Sequence, residues 1–164
     1  MTGTAILIAI ACLAAGFAVA WALANSSAAG ARLALGGHQA LKQSGGFYVE
    51  ATVLDGVRPQ MKVAQEEVFG PVLAVMTFRD EAEAVRLAND TPYGLAAAVW
   101  TADMNVAHRL SHALRGGTVW VNTFDRSTMA TPFGGFKLSG SGRDRSAHAI
   151  DKYSDLKTIW TAYR

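Results

Sequence analysis

Between residues 71 and 122 two kinds of apolar segment alternate, and this alternation constrains the fold more than any other feature of the sequence. Three apolar runs are short enough to be buried strands, and each of the two segments between them has apolar residues at helical spacing. The predicted strands are PVLAVMTF (Pro71–Phe78), LAAAVWT (Leu95–Thr101) and TVWVN (Thr118–Asn122). Strands and helices that alternate at these intervals indicate parallel βαβ units. We therefore predict an α/β fold from about residue 30 onward.

The two intervening segments also carry residues that are typical of helix ends. The first, Arg79–Asp90, begins with acidic residues that suit the helix dipole, and the second begins at Asp103 as N-cap and stops at Gly116-Gly117. Their predicted apolar positions are Ala82, Val85, Leu87 and Ala88 in the first and Val106, Leu110 and Leu114 in the second. Upstream, RLALGG and GGFYVEATVL have the Val, Tyr and Thr content of short strands bracketed by glycine pairs.

The first 31 residues differ from the rest, because every Lys, Arg, Asp and Glu lies from Arg32 onward. Thr4–Ala24 is long enough to form a membrane-spanning helix, which needs about 20 apolar residues. Three interpretations are open: a membrane anchor, a signal peptide, and a non-native start. We divide the chain into a hydrophobic segment with its junction, residues 1–29, and a domain, residues 30–164. The domain is expected in the cytoplasm, and membrane-anchored if Thr4–Ala24 is a transmembrane helix.

The composition excludes several classes of function. With 51% hydrophobic and 17% charged residues, the chain is not intrinsically disordered, and a net charge of +2 does not indicate a nucleic-acid partner. One cysteine, Cys12, rules out an internal disulfide and a multi-cysteine metal site. Cys12 also lies in an apolar segment, where the reactive thiolate is disfavoured.

The residues alone give only weak indications of a metal site or a phosphate-binding site. His108 and His112 are one helical turn apart, but no glutamate follows His108 and no third ligand follows, so we interpret them as helix surface and predict no metal site. His38 and His148 are interpreted as surface residues. GSGRDR (Gly140–Arg145) resembles a glycine-rich turn that opens a helix, without the spacing of a phosphate-binding fingerprint.

Two features after the last strand favour function. The glycine-rich stretch from Gly134 to Gly142 belongs to a long loop, and long loops in compact domains are usually functional. The tail KTIWTAYR (Lys157–Arg164) alternates like a strand and is expected to pair with another strand, in this subunit or in another.

The stretch QEEVFGPVL, residues 65–73, places two carboxylates just before a predicted buried strand. One carboxylate can turn inward while the other stays in water, and Phe69 offers a flat apolar wall beside them. Such a pair suits a ribose with an attached planar ring, general acid–base work, or simple solvation. The residues alone leave these alternatives open.

From about Gly30 to Arg164 the chain resembles the C-terminal portion of NAD(P)-dependent aldehyde dehydrogenases. The resemblance rests on GARLALGG, GGFYVEATVL, QEEVFGPVLAV, NDTPYGLAAAVWT, GGTVWVN, PFGGFKLSGSGRD and DLKTIW, in the family's order and spacing. The region after Asn122 looks most like members that act on γ-glutamylaminobutyraldehyde or aminoaldehydes. The resemblance implies an oxidoreductase that converts an aldehyde to a carboxylic acid with NAD or NADP.

The resemblance also implies roles for individual residues. Glu67 would bind the hydroxyls of the nicotinamide ribose, and Phe69 would pack near the nicotinamide. Phe133 would form a wall of the aldehyde channel, and Asp125 would lie at the substrate entrance. Lys157–Tyr163 would serve in subunit association.

The family's nucleophilic cysteine, general-base glutamate, oxyanion-stabilising asparagine and Rossmann domain lie N-terminal to the matching region. No catalytic residue is therefore assigned, and we expect a fragment that is inactive on its own and whose binding of NAD(P) is doubtful. The alternative is a membrane-tethered, non-catalytic module that associates with intact aldehyde dehydrogenase subunits.

Overall fold

The computed structural model describes Leu23, Asn25, Ser26 and residues 29–164. Apart from Leu23, the hydrophobic segment Thr4–Ala24 and Cys12 within it lie outside the described residues. In the part of the chain that the structure describes, no helix has the length and apolar character needed to cross a membrane. The described chain forms two compact units, one up to Thr91 and the other from Pro92 to Arg164. We call them the first and second units.

The first unit is built on a three-stranded sheet of order β1-β4-β5. Strand β1 pairs antiparallel with β4, and β4 pairs parallel with β5. A short antiparallel pair, β2–β3, and a 3₁₀ helix lie between β1 and β4, and helix α1 lies between β4 and β5. The bounds are β1 Arg32–Leu35, β2 Gln39–Ala40, the 3₁₀ helix Lys42–Ser44, β3 Tyr48–Val49, β4 Thr52–Asp55, α1 Lys62–Gln65, β5 Val72–Ala74 and α2 Glu81–Asn89.

The core of the first unit forms where β4 meets the chain that leaves it. Leu54 is completely buried, and it clusters with other buried apolar residues, namely Ala31, Val57, Met61 and Val63. Thr52 is also buried, and its hydroxyl is satisfied because Oγ1 donates to the Glu50 carbonyl and accepts from the Gly37 amide, both at 2.9 Å. Burial of apolar surface therefore holds β4 in the middle of its sheet.

The second unit contains a βαβ element. Strands β7 and β8 pair in parallel, from Ala96 opposite Thr118 to Val99 opposite Val121, and helix α3 packs against both. A second pair, β6–β9, is antiparallel. The bounds are β6 Tyr93–Gly94, β7 Ala96–Val99, α3 Met104–Ala113, β8 Thr118–Val121, β9 Phe136–Lys137 and a 3₁₀ helix Ala147–Tyr153.

The structure confirms both predicted helices, but some of the residues that they bury differ from those predicted. Asp103 caps α3 as predicted, since its Oδ1 accepts from the amides of Asn105 at 2.8 Å and Val106 at 3.3 Å. Leu110 and Leu114 are buried as expected, and Val106 is only half-buried. In α2 the buried residue is Ala84, whereas Ala82 is exposed.

The expectation of parallel units alone is too narrow, because the sheets are mixed. Three of the described strand pairs are antiparallel: β1–β4, β2–β3 and β6–β9. After the β2–β3 hairpin the chain turns back, so β4 runs against β1. The tail after Ser154 forms no strand with any described residue. Its pairing with another subunit stays a prediction.

Helix α2 begins with an interlocked set of charges. The Asp80 carboxylate accepts from the Glu83 amide at 2.8 Å, and the Glu83 carboxylate accepts from both the backbone and the guanidinium of Arg79 at 2.9 Å. Arg86 adds a contact of 3.3 Å to Glu83. The hydrogen bond from the Arg79 side chain is the main reason that the pKa of Glu83 falls to about 2 from its ordinary value of 4.5.

This arrangement predicts an acid-dependent contribution to stability. A lowered pKa in the folded state stabilises the fold above pH 4.5, and this stabilisation is lost as the pH falls through about 2. The loss of stability caused by Glu83→Gln should therefore be largest at pH 7 and shrink between pH 4.5 and pH 2. Urea unfolding at several pH values measures it, with the exposed carboxylate variant Glu66→Gln as control. A Glu83→Gln effect of equal size at all pH values would contradict this account.

Candidate functional site

The segment with the paired carboxylates joins the end of α1 to the start of β5. Helix α1 ends at Gln65, and the Glu66 amide donates to the Lys62 carbonyl at 2.7 Å. The Glu66 carboxylate is exposed and lies 4.0 Å from Lys62 Nζ. Glu67, the next residue, is half-buried and makes no hydrogen bond or ion pair with the described residues. The two neighbouring acids thus have different surroundings, and Glu67 keeps its acceptor oxygens available.

Backbone hydrogen bonds fix the path of the chain past Phe69. The Gly70 amide donates to the Val68 carbonyl and the Val72 amide donates to the Gly70 carbonyl, each at 2.8 Å, so two tight turns follow one another. The Pro71 carbonyl then accepts from the Thr52 amide of β4 at 2.8 Å. Phe69 stays 44% exposed in this anchored segment. A flat apolar ring is therefore presented on a short segment held at both ends.

In the second unit, the carboxyl ends of β7 and β8 are tied together by Asn122. The Asn122 Oδ1 accepts from the Thr101 amide, and Nδ2 donates to the Thr101 carbonyl, both at 2.9 Å. Asn122 takes a left-handed conformation with φ 53°, and its own amide donates to the Val99 carbonyl at 2.8 Å. The side chain continues the strand pairing by one more step. The loop that begins after Asn122 consequently starts from a fixed point.

Trp120 holds the loop that contains Asp125. The largely buried indole donates from Nε1 to the Arg126 carbonyl at 2.7 Å, and its ring lies 5.1 Å from the Phe124 ring. Asp125 lies between these two contacts, exposed and with φ 55°. Sequence reasoning missed this role of Trp120, because the acceptor is the backbone carbonyl of Arg126. Every residue has a backbone carbonyl, so the residue type does not reveal which carbonyl accepts the bond.

Phe133 is held in the glycine-rich loop by pairing with Asp144. The Phe133 amide donates to the Asp144 carbonyl at 2.8 Å, and the reverse bond is 2.6 Å. The Arg145 guanidinium lies over the Phe133 ring at 5.0 Å from its centroid. A Cβ on Gly117 would come within 1.6 Å of the Gly134 carbonyl oxygen, so glycine is required where the loop crosses the start of β8. The half-buried Phe133 ring therefore lies on a loop whose backbone is anchored beside the start of β8.

The glycine-rich loop also borders an open depression of about 520 Å³. Arg143, which lines it, donates from Nη1 to the carbonyls of Gly135 at 3.0 Å and Gly142 at 2.6 Å, and its guanidinium lies 4.9 Å from the Phe136 ring centroid. GSGRDR precedes the 3₁₀ helix Ala147–Tyr153, as the predicted helix-opening turn requires. Because the Arg143 guanidinium is used in hydrogen bonds within the loop, we interpret this depression as a consequence of how the loop folds and not as a ligand site.

The predicted site residues thus fall into two groups, Glu67 with Phe69 in the first unit and Phe133 with Asp125 in the second. Among the described residues, no three His, Cys, Asp or Glu side chains are grouped to hold a metal ion. His108 and His112 are exposed on α3, as expected. His38 and His148 are exposed too, although each has an acidic partner.

Comparison with known proteins decides the family. The model of the aldehyde dehydrogenase family matches residues 17–159. This match covers most of the chain and includes all four predicted site residues. The chain belongs to the aldehyde dehydrogenase family. The family match begins at residue 17, whereas the resemblance described in the sequence analysis begins at about Gly30.

Individual members of the aldehyde dehydrogenase family are similar over much of this chain. The aminoacetaldehyde dehydrogenase of Pseudomonas aeruginosa is 53% identical over 116 residues, which are 70% of this chain and 23% of that protein. The NADP/NAD-dependent aldehyde dehydrogenase PuuC of Escherichia coli is 51% identical over 109 residues, 66% of this chain and 22% of that protein. The solved indole-3-acetaldehyde dehydrogenase of P. syringae, in complex with NAD+ and IAA, is 55% identical with a TM-score of 0.84. That alignment covers 90% of this chain and 30% of the other.

This aldehyde dehydrogenase chain therefore spans between about a fifth and a third of the length of the relatives it matches. The similarity in structure confirms a mixed α/β fold of the aldehyde dehydrogenase type.

The contacts of Trp120 lead to a prediction about the loop after β8. Trp120→Phe keeps an aromatic ring beside Phe124 but removes the hydrogen bond to Arg126, at a cost of about 1 kcal/mol. Amide hydrogen exchange across residues 124–127 should become faster than in the wild type. Trp160→Phe, in which the replaced indole is 94% exposed, is the control. Unchanged exchange in Trp120→Phe would show that the indole does not hold this loop.

Proposed function

We propose that this chain is part of an NAD(P)-dependent aldehyde dehydrogenase and supplies its nicotinamide-ribose contact and part of its aldehyde channel. The observation that carries the proposal is the 55% identity over 90% of the chain, at a TM-score of 0.84, to a dehydrogenase solved with NAD+. An aminoaldehyde is the substrate class we favour, since the aminoacetaldehyde dehydrogenase of P. aeruginosa is 53% identical.

The first-unit segment has the donor set that one end of the cofactor needs. A ribose presents two hydroxyl donors, and the half-buried Glu67 carboxylate has acceptor oxygens that no described residue uses. The partly exposed Phe69 ring supplies an apolar surface for the nicotinamide, which accepts hydride from the substrate when bound. These residues fit the nicotinamide riboside, and the proposal assigns them no contact with the rest of the cofactor.

The second-unit residues are proposed to shape the substrate's path. Phe133 offers a half-buried ring held by Asp144 and Arg145, which suits a channel wall. Asp125 offers an exposed carboxylate on a loop held by Trp120, and a carboxylate at an entrance favours a cationic aminoaldehyde.

We further propose that the chain has no dehydrogenase activity on its own. The family's reaction uses a cysteine thiolate, and the single cysteine of this sequence, Cys12, precedes the region that the family model matches. Loss of a nucleophile reduces kcat by about 10⁶-fold in a well-studied hydrolase. The contacts supplied by Glu67 and Phe69 bind and orient, and they do not replace that nucleophile.

A chimera tests the assignment of Glu67 to the cofactor site. In this chimera, residues 30–164 of this chain replace the matching region of the P. aeruginosa aminoacetaldehyde dehydrogenase. In this chimera Glu67→Gln should raise the KM for NAD+ by about tenfold or more, because a charge-assisted hydrogen bond contributes about 1.5–3 kcal/mol. Glu66→Gln is the matched control, one residue away and exposed, and should leave the KM unchanged. Equal effects of the two substitutions would contradict the assignment of Glu67.

The tail is proposed to associate with another aldehyde dehydrogenase subunit through Lys157–Tyr163. Its large apolar side chains are exposed in this chain, Ile159 at 74% and Trp160 and Tyr163 at 94% each. Such a stretch buries apolar surface when it pairs with a second subunit.

Sedimentation of the same chimera tests this assignment. Ile159→Asp places a charge in the proposed contact and should shift the chimera to a smaller assembly. Ile150→Asp, which changes another exposed isoleucine outside the tail, is the control. An assembly of unchanged size in Ile159→Asp would argue against a role of the tail in association.

A further inference from the structure

The exposed face of α3 presents two histidines one turn apart. His108 and His112 are both exposed, whereas Ala107 and Leu110 on the other side of the helix are buried. Side chains four residues apart on a helix are neighbours, with Cβ atoms separated by about 5–6 Å. Both imidazoles therefore lie on the solvent side of the same helix, within reach of one small ion.

These two histidines differ from the other two in the chain. His38 Nδ1 lies 3.1 Å from a Glu50 carboxylate oxygen, and His148 Nδ1 lies 3.5 Å from an Asp151 carboxylate oxygen. Neither His108 nor His112 forms a side-chain hydrogen bond or an ion pair within the described part of the chain. The ring nitrogens of the adjacent pair are thus available as ligands, and those of the isolated histidines have acidic partners.

The helix that carries the pair is held rigidly. Its N-terminus is capped by Asp103, and its buried face packs on β7 and β8. A rigid helix fixes the separation of the two Cβ atoms before any ion binds, so only the side-chain torsions of the two histidines lose conformational freedom on binding.

The charges around the pair are few. Strands β7 and β8, packed on the other side of α3, have no ionisable side chains. On α3 itself Arg109 follows His108, and Arg115 lies just beyond the helix end; both cations oppose the binding of another. His112 is in the last turn, where the helix dipole favours positive charge. The site therefore suits a cation whose binding depends on ligand bonds more than on net charge.

The sequence alone favoured a plain helix surface here, but from the exposure of both rings and their lack of partners among the described residues we propose that His108 and His112 form a two-histidine chelating site for a divalent transition-metal ion. Imidazole nitrogen suits copper, nickel and zinc, and among these ions Cu²⁺ binds such ligands most strongly. The described residues place no third His, Cys, Asp or Glu in a group with the pair, so water completes the coordination.

Titration of the full chain with Cu²⁺ at pH 7.4, followed by calorimetry, tests the proposal. The expected result is one site of 1:1 stoichiometry whose affinity falls at least tenfold in His108→Gln and in His112→Gln. His38→Gln and His148→Gln are matched controls and should bind Cu²⁺ like the wild type. Retention of the wild-type affinity in the double variant His108→Gln/His112→Gln, or the absence of a site in the wild type, would overturn the proposal.

A relocation experiment tests the helical geometry directly. In the His112→Gln background, Ser111→His restores a second imidazole three residues from His108, which is again on the same face, and should recover Cu²⁺ binding. Ala113→His places the imidazole five residues away, on a different face, and should not. Equal recovery by both variants would show that the metal does not bind through a shared helix face. Electron paramagnetic resonance of the Cu²⁺ complex provides a second readout, since two bound imidazoles split the signal.

Discussion

The close approach of two backbone segments, at Gly117 and Gly134, is the constraint on which the architecture of the second unit depends. A Cβ on Gly117 would overlap the Gly134 carbonyl oxygen, at 1.6 Å, and a Cβ on Gly134 would lie 2.5 Å from the Gly142 carbonyl oxygen. Three stretches of chain therefore pack backbone to backbone, which only glycine permits. This contact brings the long loop against the start of β8 and so determines where Phe133 lies. The glycine content of the loop thus serves packing as well as turning.

A second feature of this unit is that functional candidates are supported by the carboxyl ends of parallel strands. Asn122 extends the pairing of β7 with β8, and Trp120 of β8 holds the carbonyl of Arg126. The loop with Asp125 is thereby anchored to a buried strand at its start and in its middle. Loops at this end of parallel strands are where open α/β sheets bind ligands. The proposed substrate role of Asp125 agrees with that general rule.

How far the sequence predicts this molecule depends on the range of the interaction. Helix α3, its Asp103 cap and strand β8 follow from local periodicity and capping chemistry, and the structure confirms them. The antiparallel pairing of β1 with β4 could not be predicted from local sequence patterns, because the relative direction of two paired strands depends on residues far apart in the sequence. The same limit explains why Ala84 was missed as the buried position of α2 and why the bond from Trp120 to Arg126 was not foreseen. At the carboxylate pair, the residues alone left ribose binding, general acid–base work and solvation open, and the structure adds that Glu67 is half-buried and Glu66 is exposed. A role in ribose binding came from the resemblance, since burial alone does not identify a ligand.

We propose that this chain carries binding and channel residues of an aldehyde dehydrogenase and does not catalyse the reaction alone. The most direct measurement is aldehyde-dependent formation of NADH, with the purified chain and the P. aeruginosa chimera assayed side by side. The account predicts no turnover by the chain and turnover by the chimera. Turnover by the chain alone, or a folded chimera that does not turn over, would contradict it.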